Sequence, residues 1–301
     1  MSQASTRVLI LGAGGQLGAQ LARSLMADGS QGAVIALGRA EVDFADAEAV
    51  RAAVRAHAPQ ILVNAAAYTA VDRAESEPEM AFAVNAAAPG VLAEEMARLD
   101  GWLLHYSTDY VFDGSGTAPW RETDPTGPLN VYGASKLAGE QAIAAVGAKH
   151  LIFRTSWVYA AEGRNFLHTM LRLGRERDRL SIVADQIGAP TSAEALSAAT
   201  ATVMARLRDG QQPPCGVYHM SCAGETSWFG FAQAIFSAFA ERQPAPTLAP
   251  IATSDYPTPA RRPQNSRLDG SLLARNLELR LPDWRDALAE VVAALGVTGN
   301  R

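Results

Sequence analysis

Three observations predict an α/β fold built on a doubly wound parallel sheet. Short apolar runs alternate with helix-length segments through the first half of the chain. The first of those runs opens into a glycine turn, and a tyrosine and a lysine stand four residues apart in a later segment that reads as the start of a helix. Strands alternating with helices at this spacing connect by right-handed crossovers and pair in parallel. At 301 residues the chain is also long enough for a second, smaller α/β substrate domain.

The chain enters this pattern directly. Arg7 to Leu11 reads as a buried strand, the turn runs from Gly12 to Gly18, and a helix is expected from Gln16 to Met26. Gly12, Gly15 and Gly18 form G-x-x-G-x-x-G. Glycines there let the backbone turn sharply and let a pyrophosphate approach the main chain, while the helix N-terminus favours the anion. Such a motif alone is weak. Placed after the first strand and at the head of the first helix, it has the context of a Rossmann-like dinucleotide site.

The second strand, Ala33 to Leu37, ends at Gly38-Arg39. An acidic residue there would bind a ribose 2′-hydroxyl, whereas an arginine meets a 2′-phosphate, so Arg39 tilts the expectation to NADPH with NADH as the alternative. A solvated arginine in a turn is the other reading. Val42-Asp43-Phe44 reads as a short strand whose carboxylate accepts from the adenine amino group; alternatively Asp43 caps the helix beginning near Ala45.

Pro59 to Thr69 gives a third strand that runs out into Ala65, Ala66 and Ala67, small side chains that leave room for a cofactor at the strand ends. Asn64 and Asn85 read as structural. The fourth strand, Trp102 to Phe112, ends in a polar cluster in which the Thr108 hydroxyl faces the same crevice. Tyr132 and Lys136 then lie one helical turn apart on one face. An ammonium beside a phenol favours the phenolate and draws its pKa down from about 10, so Tyr132 is the first candidate for a catalytic acid. Without the glycine turn the pair would read as a surface tyrosine beside a solvated lysine.

Composition limits the partners. The chain is 48% hydrophobic and 19% charged with a net charge of −5 and no long Lys/Arg run, which excludes a nucleic-acid backbone or an anionic membrane and leaves a small molecule. The first apolar run is too short for a signal segment and no run of about 18 apolar residues occurs, which places the protein in the cytoplasm. Cys215 and Cys222 are spaced for neither a zinc knuckle nor a redox pair and read as packing residues. The five histidines show no ligand-spaced pair, so no catalytic metal is expected.

In the second half, Phe153 to Trp157 closes a strand at the crevice and a helix is expected from Asn165 to Arg175. A strand at Ser181 to Val183, a helix from Ser192 to Leu207 and an edge strand at Val217 to Met220 follow. Ser227 to Phe236 reads as an apolar helix whose aromatics form core, Pro244 to Pro263 as a loop, and Trp284 to Leu295 as the last helix. Arg261, Arg262 and Arg267 are candidates for a substrate diphosphate. Residues 1–155 are expected to form the dinucleotide domain, with returns near 181–220; residues 156–301 supply most of a discontinuous substrate domain.

The glycine turn with Thr108, Tyr132 and Lys136 resembles the extended short-chain dehydrogenase/reductase family. Asn64 to Glu75, Ser107 to Phe112, Arg154 to Tyr159 and Tyr256 to Pro263 narrow the resemblance to its branch reducing dTDP-linked 4-keto-6-deoxy sugars. The resemblance implies that NAD(P)H delivers hydride to C4 of dTDP-4-dehydro-6-deoxy-L-mannose, the last step of dTDP-L-rhamnose synthesis. It implies that Tyr132 protonates the C4 oxygen, Lys136 tunes Tyr132 and binds the nicotinamide ribose, and Thr108 orients the ketone. Asp109 and Trp157 fall beside the substrate. Gly15, Gln16 and Leu17 fall at the pyrophosphate, Asp43 and Phe44 near the adenine, and Ala66, Ala67, Tyr68 and Thr69 along the middle of the cofactor.

Relatives that dehydrate such sugars follow the threonine with Asp-Glu; here Asp109-Tyr110 stands instead, which points to plain reduction. Relatives that epimerise first use a cysteine and a histidine near the sugar, and both cysteines here lie past residue 214. Some relatives hold Mg²⁺ on glutamates between two subunits of a homodimer. Glu194 and Glu290 match two of those positions but Gln20 replaces the third, which weakens the expectation of both ion and dimer. A reductase or epimerase of another nucleotide sugar, and a non-catalytic dinucleotide-binding regulatory subunit, are the alternatives. The intact Thr108, Tyr132 and Lys136 set favours the enzyme.

Overall fold

The computed structural model describes residues 6–27 and 34–298. Its centre is a six-stranded, all-parallel sheet in the order Gly216–His219, β5, β4, β3, β1, β2, where β1 is Val8–Leu11, β2 Val34–Leu37, β3 Ile61–Asn64, β4 Trp102–Thr108 and β5 His150–Thr155. The apolar runs are continuous because both faces are covered. Val8 and Ile10 enter one core with the helices Gln16–Ala27 and Ala193–Arg208, while Leu9 and Leu11 enter the other beneath Ala47–His57 and Ala88–Arg98. Among the described residues no helix is long and apolar enough to cross a membrane.

The chain reverses direction across the sheet at β1, whose neighbours are β2 and β3, so the crevice beyond the strand ends opens there. Register brings the ends level: Leu11 stands opposite Leu37 and Asn64, and Thr108 opposite Thr155. The helix Val131–Val146 lies against the β4 end. Asn130 starts it, its side chain accepting from Gly133 N at 2.8 Å, and Gly147 in the left-handed region (φ 73°) ends it. Two of its glycines are contact points. A Cβ on Gly133 would collide with the Tyr110 carbonyl, and one on Gly139 with that of Asn85. The helix thereby reaches the sheet closely enough for a buried lysine to cross to β4.

Several boundaries differ from the sequence reading. Val42–Phe44 forms no strand, and the helix Ala47–His57 is capped by Asp46, which accepts from Glu48 N and Ala49 N, so Asp43 is not the cap. Ala33, the expected first residue of β2, lies outside the described residues. β4 stops at Thr108 because the chain turns into a 3₁₀ segment, Asp109–Val111, capped by the Thr108 side chain. The expected Pro244–Pro263 loop contains a strand, Thr247–Ile251, paired in parallel with Arg179–Val183; proline is tolerated on such an edge. Cys222 is a buried packing residue, whereas Cys215 is exposed. The edge strand and the helices Phe166–Glu176, Ala193–Arg208 and Trp228–Ala238 stand within a few residues of their expected bounds.

Candidate active site

A cavity of about 1300 Å³ follows the crevice at the strand ends. It gathers the sequence candidates Gly12, Gly15, Gln16, Leu17, Arg39, Asp43, Phe44, Ala66, Ala67, Tyr68, Thr69, Thr108, Asp109, Tyr132, Lys136 and Trp157. Gly18 is the exception. It lies beneath the turn, where a Cβ would strike the Gly12 carbonyl, so its role is helix packing.

At the glycine turn, Gly12 has φ 86° and a Cβ there would lie 2.5 Å from Ala66 N, while Gly12 N donates to Leu37 O at 2.9 Å. A Cβ on Gly14 would meet nothing within 4 Å. The turn is thus packed tightly on its inner side and left open where a phosphate would approach a helix N-terminus, a cradle that fits a dinucleotide. Asn165 reaches across from the second half to donate to Gln16 Oε1 at 2.8 Å. Arg39 is exposed at the rim and, among the described residues, has no carboxylate partner; Asp43 is exposed beside it.

The middle of the cavity is held by Asn85. Its Oδ1 accepts from Tyr68 N at 2.8 Å, and its Nδ2 donates to Tyr68 O and Ser135 Oγ, each at 3.0 Å. A π-helical turn, Ala83–Ala87, points Asn85 inward. The phenol of Tyr68 donates to Glu77, which also pairs with Arg73.

The inner end is built from β4 and the Val131–Val146 helix. Thr108 donates to Asp109 Oδ1 at 3.0 Å, accepts from Tyr110 N at 3.2 Å and touches the Tyr132 phenol. Asp109 is 2% exposed and its Oδ2 has no partner among the described residues; burial pushes its carboxyl up to about 7. Lys136, also 2% exposed, donates to Tyr106 O at 2.6 Å and lies 3.2 Å from His105 Nε2. Burial pushes it down to about 8, against the pull of Glu140.

The electrostatic effect expected on Tyr132 runs the other way in the structure. Burial, with the Asp109 charge assisting, raises the phenol to about 12, and the hydrogen bond with Thr108 lowers it only in part. Lys136 Nζ is turned toward the Tyr106 carbonyl and His105, so its pull on the phenol is weak. A phenol in this state is fully protonated at neutral pH, the form a proton donor needs.

Trp157 occupies the left-handed region at φ 49°, a conformation that costs on the order of 1–2 kcal/mol for a residue with a Cβ. Its ring stacks on Trp228, centroids 3.7 Å apart and planes at 11°, and both line the cavity. Trp228 is therefore not the core residue its helix pattern suggested, while Phe231 and Phe236 of the same helix are. The diphosphate candidates also need correction. Arg262 pairs with Asp72 at 2.8 Å, Arg267 with Glu225 at 2.6 Å, and none of Arg261, Arg262 and Arg267 lines the cavity; Arg73 and Arg164 do.

Comparison with known proteins gives this geometry its family. A family model described as the RmlD substrate binding domain matches residues 6–297. A dTDP-4-dehydrorhamnose reductase of Burkholderia thailandensis is 50% identical over 297 residues, 96% of this chain and 99% of that protein. One from Escherichia coli K12 is 45% identical, covering 97% and 98%. The chain belongs to the dTDP-4-dehydrorhamnose reductase family. Its fold is shared with the solved reductase of Bacillus anthracis in complex with NADP, at 36% identity and TM-score 0.86 with 98% and 99% of the two chains covered. The same holds for the Clostridium acetobutylicum reductase, at 33% identity and TM-score 0.89, covering 97% and 100%.

Within this dTDP-4-dehydrorhamnose reductase fold, two of the three magnesium positions, Glu194 and Glu290, both lie near the Tyr159 phenol and help to raise it. Gln20 accepts from Arg23 at 2.8 Å and donates to Ser24, Glu194 Oε1 accepts from Ala161 N at 3.3 Å, and no group of three or more His, Cys, Asp or Glu side chains placed to hold a metal occurs among the described residues. His105, Trp228, Arg73, Arg164 and a buried Ser107–Glu140–Arg154 cluster are what sequence reasoning missed. For His105 and Ser107 a signal existed: polar residues two apart in an otherwise apolar strand share a face. Arg73, in a one-turn helix, and Arg164, on a loop, left none, since exposed residues in such short segments carry no periodicity.

Proposed function

We propose that the chain reduces the C4 ketone of dTDP-4-dehydro-6-deoxy-L-mannose (dTDP-4-dehydro-β-L-rhamnose) to dTDP-L-rhamnose, the last step of dTDP-rhamnose biosynthesis, with NADPH as the preferred reductant and NADH as the alternative. The observation that carries this is the meeting of Thr108, Asp109, Tyr132 and Lys136 at the inner end of a cavity whose outer end is the glycine turn. Reduced nicotinamide, when bound, supplies the hydride. Gly12, Gly15, Gln16 and Leu17 hold the pyrophosphate, Arg39 the 2′-phosphate, and Asp43 and Phe44 the adenine end.

Tyr132 donates its phenolic proton to the C4 oxygen as that oxygen gains charge. Thr108, fixed between Asp109 and the Tyr110 amide, orients the same oxygen. Lys136 stabilises the phenolate that the transfer leaves, and Trp157 contacts the nucleotide sugar. The reading with NADPH is supported by the Bacillus anthracis relative, solved with NADP, and by Arg39, exposed at the cavity rim with no carboxylate partner among the described residues.

The test is oxidation of NADPH in the presence of the ketosugar, followed by loss of the reduced-nicotinamide absorbance, beside a Tyr132→Phe control. Oxidation that requires the sugar and disappears in the control supports the assignment. Tight NADPH binding with no sugar-dependent oxidation would overturn it.

A further inference from the structure

His105 takes no part in the proposed reaction, yet it is wired to Lys136. Hydrogen bonds settle where its proton sits. Asn64 Oδ1 accepts from Ala66 N at 3.1 Å, which orients the amide so that Nδ2 faces His105 Nδ1 at 3.0 Å as a donor. A neutral imidazole that accepts at Nδ1 carries its proton on Nε2. That nitrogen lies 3.2 Å from Lys136 Nζ.

An ammonium has three donors and no acceptor. Facing Nε2–H, it would set donor against donor. An uncharged amine instead completes every bond: its lone pair accepts from His105 Nε2–H while one N–H donates to the Tyr106 carbonyl at 2.6 Å. We propose that His105, oriented by Asn64, is a positioning residue that stabilises the uncharged form of Lys136 and thereby sets the pH at which this lysine changes charge. Within the proposed reaction, on whose reading this inference rests, that pH bounds the range over which Lys136 carries the charge that stabilises the Tyr132 phenolate.

The other charged and titratable groups do not overturn this balance. Glu140, one turn further on the lysine's own helix, favours the ammonium, but its carboxylate is engaged by Arg154 of β5, at 2.6 and 2.9 Å, and by Ser107 of β4. Asp109 and Tyr132 stand at the cavity side. From β3 only the neutral Asn64 reaches the pair, and the Tyr106 phenol bonds Thr200 on the opposite face of β4. His105 is held well below its ordinary value, by burial first and the Lys136 charge second. Lys136 is itself held down by burial.

The full chain, labelled with ¹⁵N-histidine and free of cofactor, tests the tautomer directly by NMR. The resonance lost in His105→Gln is expected to report Nε2–H at neutral pH and to remain unprotonated well below the usual histidine value of about 6.5. An Nδ1–H tautomer, or ordinary titration, overturns the proposal. In the reductase assay, His105→Phe removes the donor to the neutral amine, so the alkaline limb of the kcat/KM profile should move up by about one pH unit. Asn64→Asp should move it the same way, because a carboxylate draws the imidazole proton to Nδ1 and leaves Nε2 to accept from the ammonium. This second variant keeps the test alive if His105→Phe fails to fold, and an unmoved limb in the folded variants overturns the proposal. If the wild type shows no sugar-dependent oxidation, the functional reading fails while the tautomer measurement still decides this one.

Discussion

The two ends of the cavity are built differently. At the inner end Thr108, Asp109 and Lys136 are almost fully buried; Thr108 bonds Asp109 and the Tyr110 amide, and Lys136 crosses from its helix to the Tyr106 carbonyl of β4. At the outer end Arg39, Asp43 and Arg164 are exposed on loops. Burial makes charge expensive and geometry rigid at the first, whereas water screens and softens the second. Chemistry is therefore expected to depend on the inner end, and cofactor preference on the outer.

The sharpest way to break that division is through the scaffold of the inner end. Arg154→Ala leaves the Glu140 carboxylate, 4% exposed, without its bidentate partner, and stability to urea should fall by about 3–5 kcal/mol. A loss no larger than that of a surface pair would mean the inner end is wetter than its packing implies. Tyr132→Phe comes next. It keeps the ring and removes the proton, so kcat should drop by about 10²-fold or more with NADPH affinity nearly unchanged; near-normal turnover would remove Tyr132 from its role.

Asp109 sharpens the comparison through pH. Its folded value of about 7 lies above the unfolded value of about 3.9, so the stability it contributes is full below the unfolded value and is lost as pH rises through the folded one. Asp109→Asn removes this titration. Stability to urea should move in favour of the variant between about pH 4 and pH 8, by on the order of 4 kcal/mol; a pH-independent difference would mean the carboxyl is not held neutral. The smallest effect belongs to the outer end. Arg39→Ala should lower the NADPH-to-NADH ratio of specificity constants by about tenfold, the value of one exposed charge-assisted contact to phosphate, with kcat kept. A ratio that does not move would make Arg39 a solvated turn residue.

Legibility in the sequence followed the same division only in part. The glycine turn and the Tyr132–Lys136 spacing were readable because each rests on a local rule: a tight turn needs glycine, and one helical turn places i and i+4 together. Asp43 and Asp46 were confused because both are acidic residues ahead of one helix, and only the backbone decides which reaches the free amides. The strand Thr247–Ile251 was hidden by its prolines, since its pairing partner lies far away in the chain. Trp228 carried a helix-core pattern, and its stacking on Trp157 depends on an unusual backbone angle that no spacing announces.

The sequence by itself determined the alternating elements, the parallel sheet, the glycine turn and the candidate reacting side chains, because those follow from periodicity, chain connectivity and residue chemistry. Only the tertiary structure decided the state of those side chains. The raised phenol of Tyr132, the near-neutral carboxyl of Asp109 and the contact of Lys136 with His105, itself bonded to Asn64, arise from desolvation and from partners on β3 and β4 that meet the helix only when the sheet is assembled. Charge in a protein interior is a property of the surroundings, and the surroundings here come from strands distant in sequence.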